Sequence, residues 1–124
     1  MDQPRPRPLF WVGASKKDFR AFNRELRHYI GFLLYRVQEE LPVPDEKPLN
    51  RGALQGLGIR EIAVDGDDGT YRVVYTVKLR AGVYVLHAFK KKSKHGIATP
   101  QHDIELIRAR FAMAMRIDDA SSPL

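Results

Sequence analysis

Three apolar segments dominate the middle of the chain: "IREIAV" (59–64), "YRVVYTVKL" (71–79) and "VYVLHAF" (83–89). All are rich in β-branched and aromatic residues, which fit a pleated, half-buried surface. Only "DGDDGT" and "RAG" separate them, and both are turn-forming stretches too short for a crossover. Consecutive strands joined that tightly run antiparallel. An antiparallel meander is therefore the expected centre of the fold, and the rest of the 124 residues has to pack on it.

The flanking segments read as helices and one further strand. "LFWV" (9–12) is short and apolar and ends at Gly13, which suits a strand at the edge or in the middle of the same sheet. Ser15 with Asp18 three residues on resembles a capping box, so a helix is expected to start there. Phe19, Phe22, Leu26, Ile30, Leu33, Val37 and Leu41 then form one apolar stripe that stops before Pro42. Asn23 can divide this region into two helices by capping the second. Thr99 and Pro100 supply the start of a last helix, with Asp103 near its positive end and Ile104, Ile107, Phe111 and Met115 on its apolar face. The expected fold class is α+β: a small antiparallel sheet packed against N-terminal helices, with a C-terminal helix. One domain spans 9–116, between a proline-rich flexible arm (1–8) and a polar disordered tail (117–124). Residues 42–58 read as a long connection carrying Arg51.

Composition narrows the function. The chain has 21 Lys and Arg against 15 Asp and Glu, a net charge of +6, which favours a polyanionic partner. It has no cysteine, so disulfides, thiolate metal sites and thiol nucleophiles are excluded. No apolar run approaches a membrane span, and "MDQPRPRP" lacks the core of a signal peptide, so the expectation is a cytoplasmic protein with no membrane partner. "DGDDGT" fails as a calcium loop because Thr70 and Thr76 stand where glycine and glutamate are needed. "GALQGLG" fails as a phosphate or dinucleotide loop. No metal or cofactor is expected.

The remaining chemistry is cationic. Arg72 alternates with Tyr71 and Val73 on the middle strand, where its rigid fork of donors suits a phosphate; the alternative is a solvent-facing cross-strand pairing with a glutamate such as Glu61. Lys90, Lys91, Lys92 and Lys94, with His95, follow directly on the last strand, so this cluster should neighbour Arg72, or else form a solvated connection. His87 alternates with Val85 and Phe89, which points it to the core or its rim with a backbone carbonyl as partner. His95 is better placed for acid–base work, and His28 and His102 give no metal-ligand spacing. Metal-independent acid–base and electrostatic catalysis on a phosphate remains, and RNA, with its own 2′-hydroxyl nucleophile, fits it.

"LFWVGASKKDFRAF", "IREI", "YRVVYTV", "VYVLHAFKKKSKHGIATP" and "DIELIRARF", in that order, resemble the phage-derived branch of the RelE/HigB toxin superfamily over about residues 9–115. The resemblance implies a toxin of a type II toxin–antitoxin pair that cuts mRNA on the ribosome, without a cofactor. Its partners are then ribosome-bound mRNA and a cognate antitoxin, expected to be a small helix-turn-helix protein. It implies that Arg72 holds the scissile phosphate, that Arg60 faces the RNA, and that Lys91 and Lys92 stabilise the phosphate or transfer protons. Arg51, Lys90 and Lys94 complete the expected RNA-binding set. No tyrosine follows Tyr84, so the C-terminal catalytic tyrosine of some relatives is missing, and Lys91, Lys92 and His95 stay open as the general base. Two rival readings share the basic face: a non-catalytic nucleic-acid-binding module, and a degenerate toxin that acts only with its antitoxin in operon repression.

Overall fold

The computed structural model describes residues 5–91 and 99–121. Five strands form one sheet in the order β1-β5-β4-β3-β2, with β1 Leu9–Trp11, β2 Glu46–Pro48, β3 Ile59–Gly66, β4 Gly69–Thr76 and β5 Val83–Lys91. The expected meander is β3-β4-β5, antiparallel throughout. β1 is an edge strand parallel to β5, so the sheet as a whole is mixed. β2 lies inside the stretch expected to be a plain connection; it pairs antiparallel with β3 over three residues. Proline and charge concealed it in the sequence, and both are ordinary features of an edge strand.

Helices α1 (Ser15–Arg20) and α2 (Arg24–Gln38) cover one face of the sheet. Helix α3 (Gln101–Ala120) and a 3-10 turn at Gly52–Leu54 cover the other. Asn23 divides α1 from α2 as expected, its side chain accepting the Leu26 N–H at 2.9 Å. Ile30, Leu33, Ile62, Val73, Tyr75 and Val85 make the core on the α2 side, and Leu54, Val74, Tyr84, Leu86, Ile107 and Phe111 make it on the α3 side. Because both faces are covered, β4 is buried from Thr70 through Thr76. The α+β class is therefore as read, with helices on both sides of the strands. Among the described residues, no helix is long and apolar enough to cross a membrane.

Several expected caps and ends differ. Ala14 takes the N-cap position of α1; the Ser15 hydroxyl donates instead to the Val85 carbonyl at 3.1 Å, tying the helix start to β5. Pro100, not Thr99, is the N-cap of α3, and Thr99 is buried. Gly13, at φ 58°, makes the left-handed turn from β1 to α1, a conformation that favours glycine; a Cβ there would also lie 2.9 Å from Arg110 Nε.

Both expected floppy ends carry structure. Arg7, placed in the flexible arm, donates to the carbonyls of Val77 (3.0 Å), Leu79 (2.9 Å) and Gly82 (3.2 Å). Residues 117–120, expected to belong to a disordered tail, are the end of α3, which buries Asp118. Asp118 accepts the N–H groups of Arg80 (2.9 Å) and Ala81 (2.8 Å) and the Tyr84 hydroxyl (3.0 Å), so it fastens the β4–β5 loop to the last turn of α3. Burial and then the Asp118 carboxylate push the Tyr84 phenol up to about 12. Replacing Asp118 with alanine removes three hydrogen bonds to a charged acceptor, and the expected loss is about 2 kcal/mol. Ile117→Ala, one residue earlier but 44% exposed, should cost less than about 0.5 kcal/mol. Urea unfolding of the two variants checks the contrast.

Candidate functional site

β4 sends Tyr71, Val73 and Tyr75 to the α2 face and Arg72, Val74 and Thr76 to the α3 face. Arg72 stands opposite Ala63 on β3 and pairs diagonally with Glu61, Nη1 lying 3.1 Å and 3.3 Å from the two carboxylate oxygens. Glu61 is the partner anticipated from the sequence, but the pair does not face solvent: the side chains are 6% and 1% exposed. α3 and the 3-10 turn cover this face, and a guanidinium placed there needs a carboxylate beside it. Lys47 on β2, largely exposed, approaches the same carboxylate at 3.5 Å. Glu61 thus fixes the direction of the Arg72 fork and draws in a second cation from the edge strand.

Lys91 joins this group. Phe89 is the register partner of Arg72, and Lys91 lies two residues further along β5 on the same face. Its pKa is lowered, first by partial desolvation and then by the Arg72 guanidinium, with Arg51 adding to the effect and Asp103 and Glu61 opposing it. Arg51 comes from the N-cap of the 3-10 turn. Three of the expected site residues are therefore linked through Lys91, on which both Arg72 and Arg51 act.

Two others are outside this group. Arg60 is the register partner of Tyr75 and so belongs to the α2 face, where it pairs with Glu46, which also accepts the Tyr75 hydroxyl at 2.6 Å. The period of two along β3 puts Arg60 and Glu61 on opposite sides, and it is Glu61 that meets Arg72. Lys90 likewise turns from Lys91 to the opposite face; it pairs with Asp68 at 2.7 Å and lies 5.9 Å over the Tyr71 ring. Lys92, Lys94 and His95 lie outside the described residues.

A β-bulge decides where His87 goes. Val74 pairs with His87 but Tyr75 pairs with Val85, so Leu86 is the extra residue and the alternation reverses there. Val85 stays in the α2-side core, while His87 meets Asp103 of α3, Nε2 to Oδ1, at 2.7 Å. The partner is a carboxylate, not the backbone carbonyl expected. Phe89 stacks on the imidazole with centroids 4.6 Å apart, and Arg110 Nη1 donates to the Leu86 carbonyl at 3.0 Å while lying 3.5 Å from His87 Nδ1. Burial lowers the His87 pKa and outweighs the pull of Asp103 in the other direction. The ring is neutral at pH 7, its Nε2–H donating to Asp103 and its Nδ1 turned to Arg110.

Asp103, Arg110 and Lys47 were not read as site residues from the sequence. A signal for Asp103 existed: with Ile107, Phe111, Ala114 and Asp118 it falls on the buried stripe of α3, and a carboxylate on such a stripe needs a buried partner.

This arrangement belongs to a chain in which a family model, Phage derived protein Gp49-like (DUF891), matches residues 17–112. The chain is a member of that family. The family is associated with toxin–antitoxin systems. No curated protein and no solved structure matches the chain significantly. The match extends from α1 well into α3, so Arg51, Glu61, Arg72, His87, Lys91, Asp103 and Arg110 of this Gp49-like chain all fall within it.

The lowered His87 pKa has a sign that can be checked. The unfolded ring takes up its proton near the ordinary value of about 6.5, the folded ring only lower. The stability contributed by neutral His87 is complete above that ordinary value and is lost as pH falls toward the folded pKa. Urea midpoints should therefore decline from pH 7 to pH 5, and His87→Gln, which still donates to Asp103, should flatten that decline.

Proposed function

We propose that this Gp49-like chain is the toxin of a type II toxin–antitoxin pair and acts as a metal-independent endoribonuclease on ribosome-bound mRNA, in the manner of RelE/HigB toxins. The observation that carries the reading is that Arg72 and Lys91 share one face of a rigid sheet, with Glu61 orienting the arginine and Arg51, at the N-cap of the 3-10 turn, acting on Lys91. Cleavage of this kind needs a base to deprotonate the 2′-hydroxyl, an acid for the leaving 5′-oxygen and cations at the crowded phosphate. Arg72 and Arg51 supply fixed positive charge. Lys91 suits the base because its neutral form is favoured by desolvation and by Arg72, while Lys92 and His95 follow it in the chain as alternatives for base and acid. The cognate antitoxin, a small helix-turn-helix protein in this reading, is the protein partner.

A second reading rests on the burial of Arg72. A guanidinium only 6% exposed and neutralised by Glu61 also suits a structural pair beneath a non-catalytic RNA- or DNA-binding face, or a degenerate toxin that works only with its antitoxin in operon repression.

Induced expression with mapping of mRNA 5′ ends in ribosome-bound transcripts separates these readings. The wild-type chain should arrest growth and generate new 5′ ends. Lys91→Ala, at a partly exposed position, should remain folded and lose at least a hundredfold in cleavage. Arg72→Ala alone strands a buried Glu61 and should cost about 3–5 kcal/mol, so its loss of activity is ambiguous. The double variant Arg72→Gln/Glu61→Gln removes both charges; it should fold and be non-toxic, with the Lys91 titration moved up toward the ordinary lysine value. Full toxicity and unchanged cut sites in Lys91→Ala and the double variant would exclude this site.

A further inference from the structure

The outer face of α2 is open to solvent although two of its residues are large aromatics. Phe32 is 56% exposed and Tyr35 47%, with Arg24, His28 and Glu39 exposed beside them. The helical period sets these residues opposite the buried Ile30, Leu33, Leu34 and Val37, so they form one stripe along the surface. Gly31 borders this stripe in mid-helix, where glycine is about 1 kcal/mol worse than alanine. Nothing inside the chain requires it, since a Cβ there would meet no atom within 4 Å. The glycine leaves a notch flanked by His28 and Tyr35, its neighbours three and four residues away.

The stripe complements itself. Its residue numbers are symmetric about the point midway between Gly31 and Phe32. A copy of α2 laid antiparallel about that point puts Phe32 over the partner's Gly31, His28 against the partner's Tyr35 and Arg24 against the partner's Glu39. Each contact then occurs twice, as a two-fold isologous interface demands. Size matches at the centre, where a ring enters a notch; aromatic rings meet on either side, and opposite charges close both ends. The steps from His28 to Phe32, Tyr35 and Glu39 are four, three and four residues, a seam along which two helices can lie nearly antiparallel.

We infer that this chain forms a homodimer through α2, with Phe32 seated on the partner's Gly31. A second copy is the occupant that satisfies both ends of the stripe. A partner of one charge sign would oppose either Arg24 or Glu39 with like charge. Arg72 lies on the other side of the sheet from α2, so both cationic faces of the dimer stay open. The inference goes beyond the nuclease reading and does not depend on it. One helix pair makes a small interface, so the dimer is reversible, with a dissociation constant on the order of micromolar.

Sedimentation velocity of the full chain, at concentrations that bracket this value, tests it, with circular dichroism to confirm that the variants fold. The wild-type chain should pass from monomer to dimer as concentration rises. Arg24→Glu places a carboxylate opposite the partner's Glu39 and should weaken the dimer roughly tenfold or more, as should Glu39→Arg. The double variant Arg24→Glu/Glu39→Arg restores opposite charges and should recover association. The two positions lie about 22 Å apart along one helix, so that rescue requires contact between copies. Gly31→Ala should raise the urea midpoint of the dilute monomer yet weaken the dimer by filling the notch. A chain that stays monomeric throughout overturns the inference and leaves the face to another protein such as the antitoxin. A dimer indifferent to the single variants, or one that the double variant fails to recover, overturns it as well.

Discussion

The burial of β4 on both faces is the constraint from which most of the structure follows. A strand covered by α1 and α2 on one side and by α3 on the other cannot leave a polar side chain without a partner. Its polar side chains are accordingly paired with neighbours: Arg72 has Glu61, Tyr75 has Glu46, and Thr76 donates to the Gly58 carbonyl at 3.2 Å. Two of these contacts reach β3 or the segment entering it, and Glu46 lies on β2, so the polar needs of β4 also hold the short edge strand in place. The same demand explains why a net positive chain keeps carboxylates at its centre. Glu61 and Asp103 each hold a buried cationic or imidazole group in one orientation.

α3 is held at its two ends by carboxylates on one stripe. Asp118 grips the β4–β5 loop and Asp103 grips His87, with Ile107, Phe111 and Ala114 packed between them. This clamps the N-terminal end of the helix over β5 where Arg72, Lys91 and Arg51 gather. Arg72 and Lys91, carried by neighbouring strands of the sheet beneath the clamped helix, keep a fixed geometry that a loop supplies less well.

Much of this was legible in the sequence. The β-branched segments 59–64, 71–79 and 83–89 became β3, β4 and β5. The stripe from Phe19 to Val37 became α1 and α2, divided at Asn23. What escaped was set by tertiary context. The bulge at Leu86 reverses the face of His87, and nothing local to "VYVLHAF" marks it. Arg7 looks like part of an extended arm until the carbonyls of Val77, Leu79 and Gly82 are brought together in space. Of the expected cationic set, the period of two along β3 already separated Arg60 from Glu61, and the same rule along β5 separated Lys90 from Lys91. Arg60 entered the set through the family resemblance and Lys90 through its place in the lysine run, and neither applied that rule.

The functional account depends on RNA meeting the α3 face, where Arg72 lies, and not the α2 face, where Arg60 lies. Arginine Nε–H signals of the wild-type protein report this directly during titration with an RNA made uncleavable by a 2′-deoxy substitution. The account predicts that Arg72 shifts saturably with RNA, with an apparent affinity that weakens as salt rises, while Arg60, held by Glu46, stays in place. Saturable shifts at Arg60 with none at Arg72 would contradict it.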